Sequence, residues 1–236
     1  MTIVYRSAAL LLLIAGSLMS QGPINTIPLW DGVSFFSRFA APNTATYGQT
    51  IHIAPGSAAV SSFGFEVGFC TGTVTFRGEV YAWDGAKATG PNLFESPATT
   101  ATASESYSLV LFSTPGLVLP PGNYVLFATT SRDQVGASGA GCQFGNFATD
   151  TAYPGDTAYP GGNSVYLNNG ANTSRWTSVA WVSYPWNAVF QVNMAPVPPP
   201  TPVAGVTAAS PATLLLGFAG VIALGLLGLS RLRVAR

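Results

Sequence analysis

Between residues 49 and 194 the chain repeats short runs of β-branched and aromatic residues, each closed by Gly, Pro, Asn or Asp, with no helical period. These runs predict strands at Gln49 to Ile53, Val60 to Gly68, Thr73 to Trp83, Ser106 to Ser113, Tyr124 to Thr130, Cys142 to Phe147, Ser164 to Leu167, Thr177 to Val182 and Ala188 to Asn193. The clearest run alternates. Val74, Phe76, Val80 and Ala82 fall on one face and Thr73, Thr75, Arg77, Glu79, Tyr81 and Trp83 on the other, so a period of two sends the first set to the core. Ala188, Phe190, Val192 and Met194 oppose Asn187, Gln191 and Asn193 in the same way. Ser108 to Phe112 is apolar on both faces, which predicts a central strand covered on both sides. So many short strands imply an all-β fold of two packed antiparallel sheets, with a jelly roll as the predicted form of the sandwich.

The two ends follow other patterns. Residues 1–20 carry Arg6 as their only side-chain charge, then the apolar run Ala8 to Ala15, then the small residues Gly16, Ser17 and Ser20. That is the layout of a secretory signal peptide, with cleavage expected after Ser17 or Ser20. Its apolar part is too short to cross about 30 Å of hydrocarbon. Ala212 to Leu229 is an uncharged apolar stretch long enough to do so as a single transmembrane helix, and Arg231, Arg233 and Arg236 follow at once. Arginines in that position stay in the cytoplasm, which places the main domain outside. The division is therefore a signal at 1–20, a β-sandwich ectodomain at 21–195, a Pro-rich linker at 196–210 and a membrane segment with a basic tail at 211–236. The prolines of the linker favour an extended spacer.

Ser210-Pro211-Ala212-Thr213, the apolar run Leu214 to Leu229 and the cluster Ser230-Arg231-Leu232-Arg233 together resemble the PEP-CTERM sorting signal of exported bacterial proteins. Ala209 and Ser210 stand where that family's motif has its first proline and its glutamate. The resemblance implies export, a membrane as partner and processing by an exosortase-type enzyme. It further implies a place in the cell envelope or extracellular matrix, with extracellular polysaccharide as a possible partner class. The segments Val80 to Pro91, Val165 to Gly170 and Ser174 to Thr177 are similar to recurring features of uncharacterised exported β-sandwich proteins with the same ending.

Composition narrows the chemistry. Of 236 residues 48% are hydrophobic and only 8% charged, against roughly 25% in ordinary soluble domains, which excludes charge-rich disorder and coiled coil. Without the two ends, Arg38, Arg77, Lys87, Arg132 and Arg175 face nine acidic residues, a net charge of −4. Such a surface repels phosphate backbones, so nucleic acid is not an expected partner.

His52 is the only histidine and lies in a predicted strand, where an ordinary strand histidine is favoured over a catalytic base. Cys70 and Cys142 are the only cysteines, too few for a structural zinc site. In an exported chain an even pair favours a disulfide, with buried free thiols or a reactive thiol as alternatives. Glu66 and Glu79 are placed as possible neighbours on adjacent strands, the arrangement that a glycosidase would need. The tandem repeat Asp150 to Gly155 and Asp156 to Gly161 reads as a duplicated surface loop, with calcium held in part by its two aspartates as the alternative.

No catalytic, cofactor-binding or metal residue is assigned. Aromatic residues give the one positive binding hint. Tyr81 and Trp83 on a predicted outer face, with Trp176, Trp181, Tyr184 and Trp186 near the end of the domain, form a candidate carbohydrate platform, although such rings also fill cores. The expectation is thus a non-enzymatic exported envelope or matrix protein, with a carbohydrate-binding module as the alternative and an envelope glycoside hydrolase third.

Overall fold

The computed structural model describes residues 22–40, 44–134, 139–148 and 158–197. The signal at 1–20, the linker beyond residue 197 and the membrane segment at 211–236 lie outside the described residues.

Thirteen strands form among the described residues: β1 Ile24–Asn25, β2 Phe35–Phe39, β3 Thr46–Ile53, β4 Ala58–Gly68, β5 Val74–Trp83, β6 Ala88–Glu95, β7 Thr99–Ala101, β8 Tyr107–Leu119, β9 Gly122–Thr129, β10 Cys142–Gly145, β11 Ser164–Leu167, β12 Val182–Tyr184 and β13 Phe190–Pro196. One α-helical turn, α1 Arg175–Ser178, and one 3-10 turn, Ile27–Leu29, accompany them. All strand pairings are antiparallel. The first sheet runs β1-β13-β4-β10-β2, with β8 along the other edge of β4; the second runs β12-β11-β3-β9-β5-β6, with β7 continuing β6's side of β5. The two sheets form a sandwich.

The core between them is aromatic. Phe39, Phe63, Phe65, Phe76, Phe144 and Phe190 are buried there with Ile51, Ile53 and Val74, and their rings meet edge-on or tilted, as in Phe39 on Phe76 at 5.2 Å and Phe65 on Phe144 at 4.9 Å. The expected inward set Val74, Phe76 and Val80 is buried, and Ala82 packs against the same core. Between Phe76 and Val80, Gly78 leaves the room that the opposite sheet fills: a Cβ there would sit 2.4 Å from Phe112 Cδ2 and 2.8 Å from Phe63 Cζ.

Two strand expectations fail, for different reasons. Residues 177–182 do not form one strand. Trp176 and Trp181 are both buried against the second sheet, and the chain reaches both by making the single turn α1 and then extending into β12. Ser108 to Phe112 belongs to β8, which among the described residues pairs with β4 alone and is an edge of its sheet. Its outward apolar residue Leu111 is 49% exposed. It stands opposite Gly64 and covers the space above it, since a Cβ on Gly64 would lie 2.9 Å from Leu111 Cδ2. Apolarity on both faces here reflects a glycine-bearing neighbour.

Cys70 and Cys142 form a disulfide with Cα atoms 4.0 Å apart. It ties the end of β4 to the start of β10, which pair at Gly68 and Gln143. Closing a loop of 72 residues contributes about 4 kcal/mol on the chain-entropy account.

Candidate functional site

The outer face of the second sheet is covered. The segment 168–181 folds over it, and Tyr81, Val125, Phe127, Val165, Trp176 and Trp181 make a second buried cluster there. Polar groups pin the cover in place. Trp176 Nε1–H donates to Thr46 Oγ1 (3.3 Å), Thr46 is within 2.8 Å of Thr129 Oγ1 and 2.9 Å of Asn169 Oδ1, and Trp181 Nε1–H donates to the Trp176 carbonyl (2.8 Å). Trp181 N–H also donates to the Ala86 carbonyl at the β5–β6 hairpin (2.8 Å).

Beside this cluster lies a network of five charges. Arg77 pairs with Asp133 and Glu95; Arg132 Nε bonds Glu79 Oε1 (2.9 Å), approaches Glu95 Oε2 (3.3 Å) and holds its guanidinium 5.2 Å from the Trp176 ring. A bulge in β6 turns Asn92 toward Glu79, and its Nδ2 donates to Oε2 (2.8 Å). Burial pushes Glu79 up to about 7, against the hydrogen bond and charge of Arg132. The bonds from Asp133 hold Arg77 above its ordinary value. These groups satisfy one another, as buried charges must.

The predicted platform is therefore assembled but closed. Tyr81, Trp176 and Trp181 are buried and Trp83 is half-buried, and the rings meet each other edge-on: Tyr81 on Trp176 at 6.1 Å, Trp83 on Trp181 at 5.7 Å. Tyr81 and Trp83 do lie on the outer face of β5, but the rings pack on protein there, so the expectation of an open platform is corrected. Tyr184 and Trp186 join a different row, stacked at 4.6 Å and continuing through Phe36 to Tyr47.

Glu66 and Glu79 do not meet either. Glu66 is on β4 in the first sheet and Glu79 on β5 in the second; each alternates with core residues, so the two carboxylates lie on opposite outer faces of the sandwich. His52 is exposed on β3 and bonds Asn123 Oδ1 across the strand pair through Nδ1 (2.9 Å). Among the described residues no three of His, Cys, Asp and Glu come together to hold a metal ion. Asp150 and Asp156 lie outside the described residues, as do the sorting residues Ser210, Pro211, Ala212, Thr213, Arg231 and Arg233.

The first sheet carries the site that alternation did not point to. Next to the bridge, Phe35, Arg38, Phe69, Thr71 and Gln143 line an open groove of about 210 Å3. Phe35 is 42% exposed and Phe69 41%. Phe69 meets Tyr107 edge-on at 4.9 Å, and Tyr107 meets Trp30 edge-on at 4.8 Å, so its ring is propped by two others. The Tyr107 hydroxyl donates to Gln143 Oε1, and burial together with the nearby Asp31 charge pushes this tyrosine up to about 12. Trp30 Nε1–H donates to the Ser34 carbonyl (3.0 Å). The signal that would have found the groove is the bridge itself: both aromatic walls lie within a few residues of a cysteine or of its strand partner.

No family model, no curated protein and no solved structure matches this chain.

Proposed function

We propose that the protein is a non-enzymatic exported component of the cell envelope or extracellular matrix, delivered by residues 1–20 and anchored or sorted through residues 211–236. The observation that carries this reading is the buried Cys70–Cys142 bridge, because disulfides form and persist in oxidising, extracytoplasmic compartments. The PEP-CTERM-like ending supports the same destination. Its partners in this reading are a membrane, an exosortase-type enzyme and extracellular polysaccharide, and the net charge of −4 on the part between the two ends argues against nucleic acid.

A jelly-roll form of the sandwich is supported by the path of eight strands. β1, β13, β4 and β8 are successive neighbours in one sheet and β3, β9, β5 and β6 in the other, so the first and last strands pair and the chain crosses repeatedly between sheets. Jelly rolls serve capsids, lectins and cupins alike, so function rests on the site. The second reading, a carbohydrate-binding module, is favoured by the exposed ring walls of the groove beside the bridge.

Cell fractionation of tagged protein tests the main reading. The expected result is a mature chain beginning near residue 18 or 21, bridged, and either membrane-associated or cut near Ser210-Pro211, while a chain ending at Pro200 is shed in soluble form. Equal amounts of soluble external protein from both versions, with Arg236 still attached to the longer one, would overturn the anchoring. A chain recovered in the cytoplasm with both thiols free would overturn the export.

A further inference from the structure

The groove beside the bridge holds features that the fold does not require. Among the described residues only two non-glycine residues have positive φ, Arg38 at +53° and Phe69 at +46°, and both line this groove. The left-handed region costs an L-residue about 1–2 kcal/mol, and such outliers concentrate where a side chain must be aimed. Arg38 owes its position to a bulge. Phe39 pairs with Cys142 and Phe36 with Phe144, so Ser37 and Arg38 together oppose the single residue Gln143. Phe36 and Phe39 both keep their places in the core, and the extra residue delivers an exposed guanidinium to the groove where glycine would fit without strain.

The chemistry of the lining is specific. Arg77 and Arg132 are used up in ion pairs, whereas Arg38 has no acidic partner among the described residues. Among the described residues no carboxylate lines the groove. Tyr107 occupies the Gln143 carbonyl oxygen, which leaves the amide N–H2 as a donor. The backbone of Gly141 is already spent, its carbonyl accepting from Thr71 N–H (2.9 Å) and its N–H donating to Thr71 Oγ1 (3.2 Å). The Gly141 stretch of the wall therefore offers an extended peptide no main-chain group to pair with. What fits is a ligand with flat apolar faces for the rings of Phe35 and Phe69, hydroxyl acceptors for the Gln143 amide and an anionic group for Arg38.

We propose that this groove binds an acidic polysaccharide, with Arg38 holding a uronate carboxylate and Phe35 and Phe69 stacking on its pyranose rings. The proposal rests on the exported-protein reading for its biological setting, and it names the ligand class of the second reading.

The test is affinity electrophoresis of the full chain, purified from membranes in a non-ionic detergent, through gels containing polygalacturonate, its methyl ester or polyglutamate. Polygalacturonate should retard the protein and the neutral ester should not. Replacing Arg38 by Gln or Phe69 by Ala should weaken binding about tenfold or more, since a charge-assisted hydrogen bond or a ring face is lost. Arg38→Gly separates binding from folding: it relieves the backbone, so the melting temperature should stay level or rise while retardation disappears. Absence of retardation by polygalacturonate, or unchanged retardation of Arg38→Gln, would sink the proposal. So would equal retardation by polyglutamate that is indifferent to Phe69→Ala, which would indicate an acidic peptide or charge alone. Peptide mapping of the Cys70–Cys142 bridge in the same preparation keeps the two readings apart: a bridged, exported protein that ignores the glycan defeats the groove proposal only, and an unbridged cytoplasmic one that binds it defeats the export reading only.

Discussion

The two outer faces of the sandwich are built on opposite plans. On the second sheet the segment 168–181 returns over the strands, buries Tyr81, Trp176 and Trp181 and leaves charged residues to neutralise one another. On the first sheet the equivalent face has no such cover among the described residues at the groove. There, Phe35, Phe69 and Leu111 are each roughly half exposed. Aromatic content alone does not separate the two. A ring on a polar face becomes a binding element only where no later part of the chain folds back onto it, and a buried one becomes an anchor whose N–H needs a partner. The covered face should therefore respond to substitution through stability, and the open face through binding.

The sharpest break in this comparison is Trp176→Ala. It empties a fully buried site and removes both the Nε1–H bond to Thr46 and the ring beneath the Arg132 guanidinium, so chemical denaturation should show a loss of up to about 5 kcal/mol. A loss below about 1 kcal/mol would mean that the segment 168–181 is not a structural cover.

Next in size is the bridge at the rim of the open face. Replacing both Cys70 and Cys142 by Ala should cost about 4 kcal/mol, read from denaturation midpoints with and without the substitution. If the chain melts unchanged, the rim is held by sheet pairing alone.

The charge network then gives the covered face a pH signature. Glu79 is raised to about 7 by burial, so the folded state holds its proton more tightly than the unfolded one, where the carboxyl titrates near its usual value. The stabilisation is complete below the unfolded value and is lost as pH rises through about 7, with Glu66 shifted by burial in the same direction. The expected fall between about pH 4.5 and 7 is about 2–3 kcal/mol, and Glu79→Gln should flatten it. A stability curve that instead rises over that window in the wild type would contradict the buried network.

The smallest effect is expected on the open face. Leu111→Ala removes a half-exposed side chain from an edge strand and should change stability by less than about 1 kcal/mol. A change as large as that of Trp176→Ala would show that this face, too, is covered.

Much of the arrangement was already legible in the residue pattern. Period two along Val74, Phe76 and Val80 identified the inward face of β5 because the core is common to every strand that lines it. The two cysteines were placed in a bridge by their number and by the signal-like start of the chain, and they do meet in the fold. Short strands were harder. β1, β2, β6 and β7 were not predicted, since two to eight residues with Gly, Pro and Ser among them carry little alternation. β2 in particular breaks its own period, putting Phe36 and Phe39 inward three residues apart through the bulge at Arg38.

What the sequence by itself determined is the all-β class, the inward faces of the regular strands and the likeness of the two ends to export and sorting signals, because these depend on local periodicity and on runs of composition. Only the tertiary structure decided which outer face is closed, that Glu66 and Glu79 lie on different sheets, that β8 is an edge, and that Phe35, Arg38 and Phe69 come together. Each of those depends on pairing or packing between residues far apart in the chain. Alternation says that a strand has two faces; it carries no record of what distant segment comes back to cover the second one.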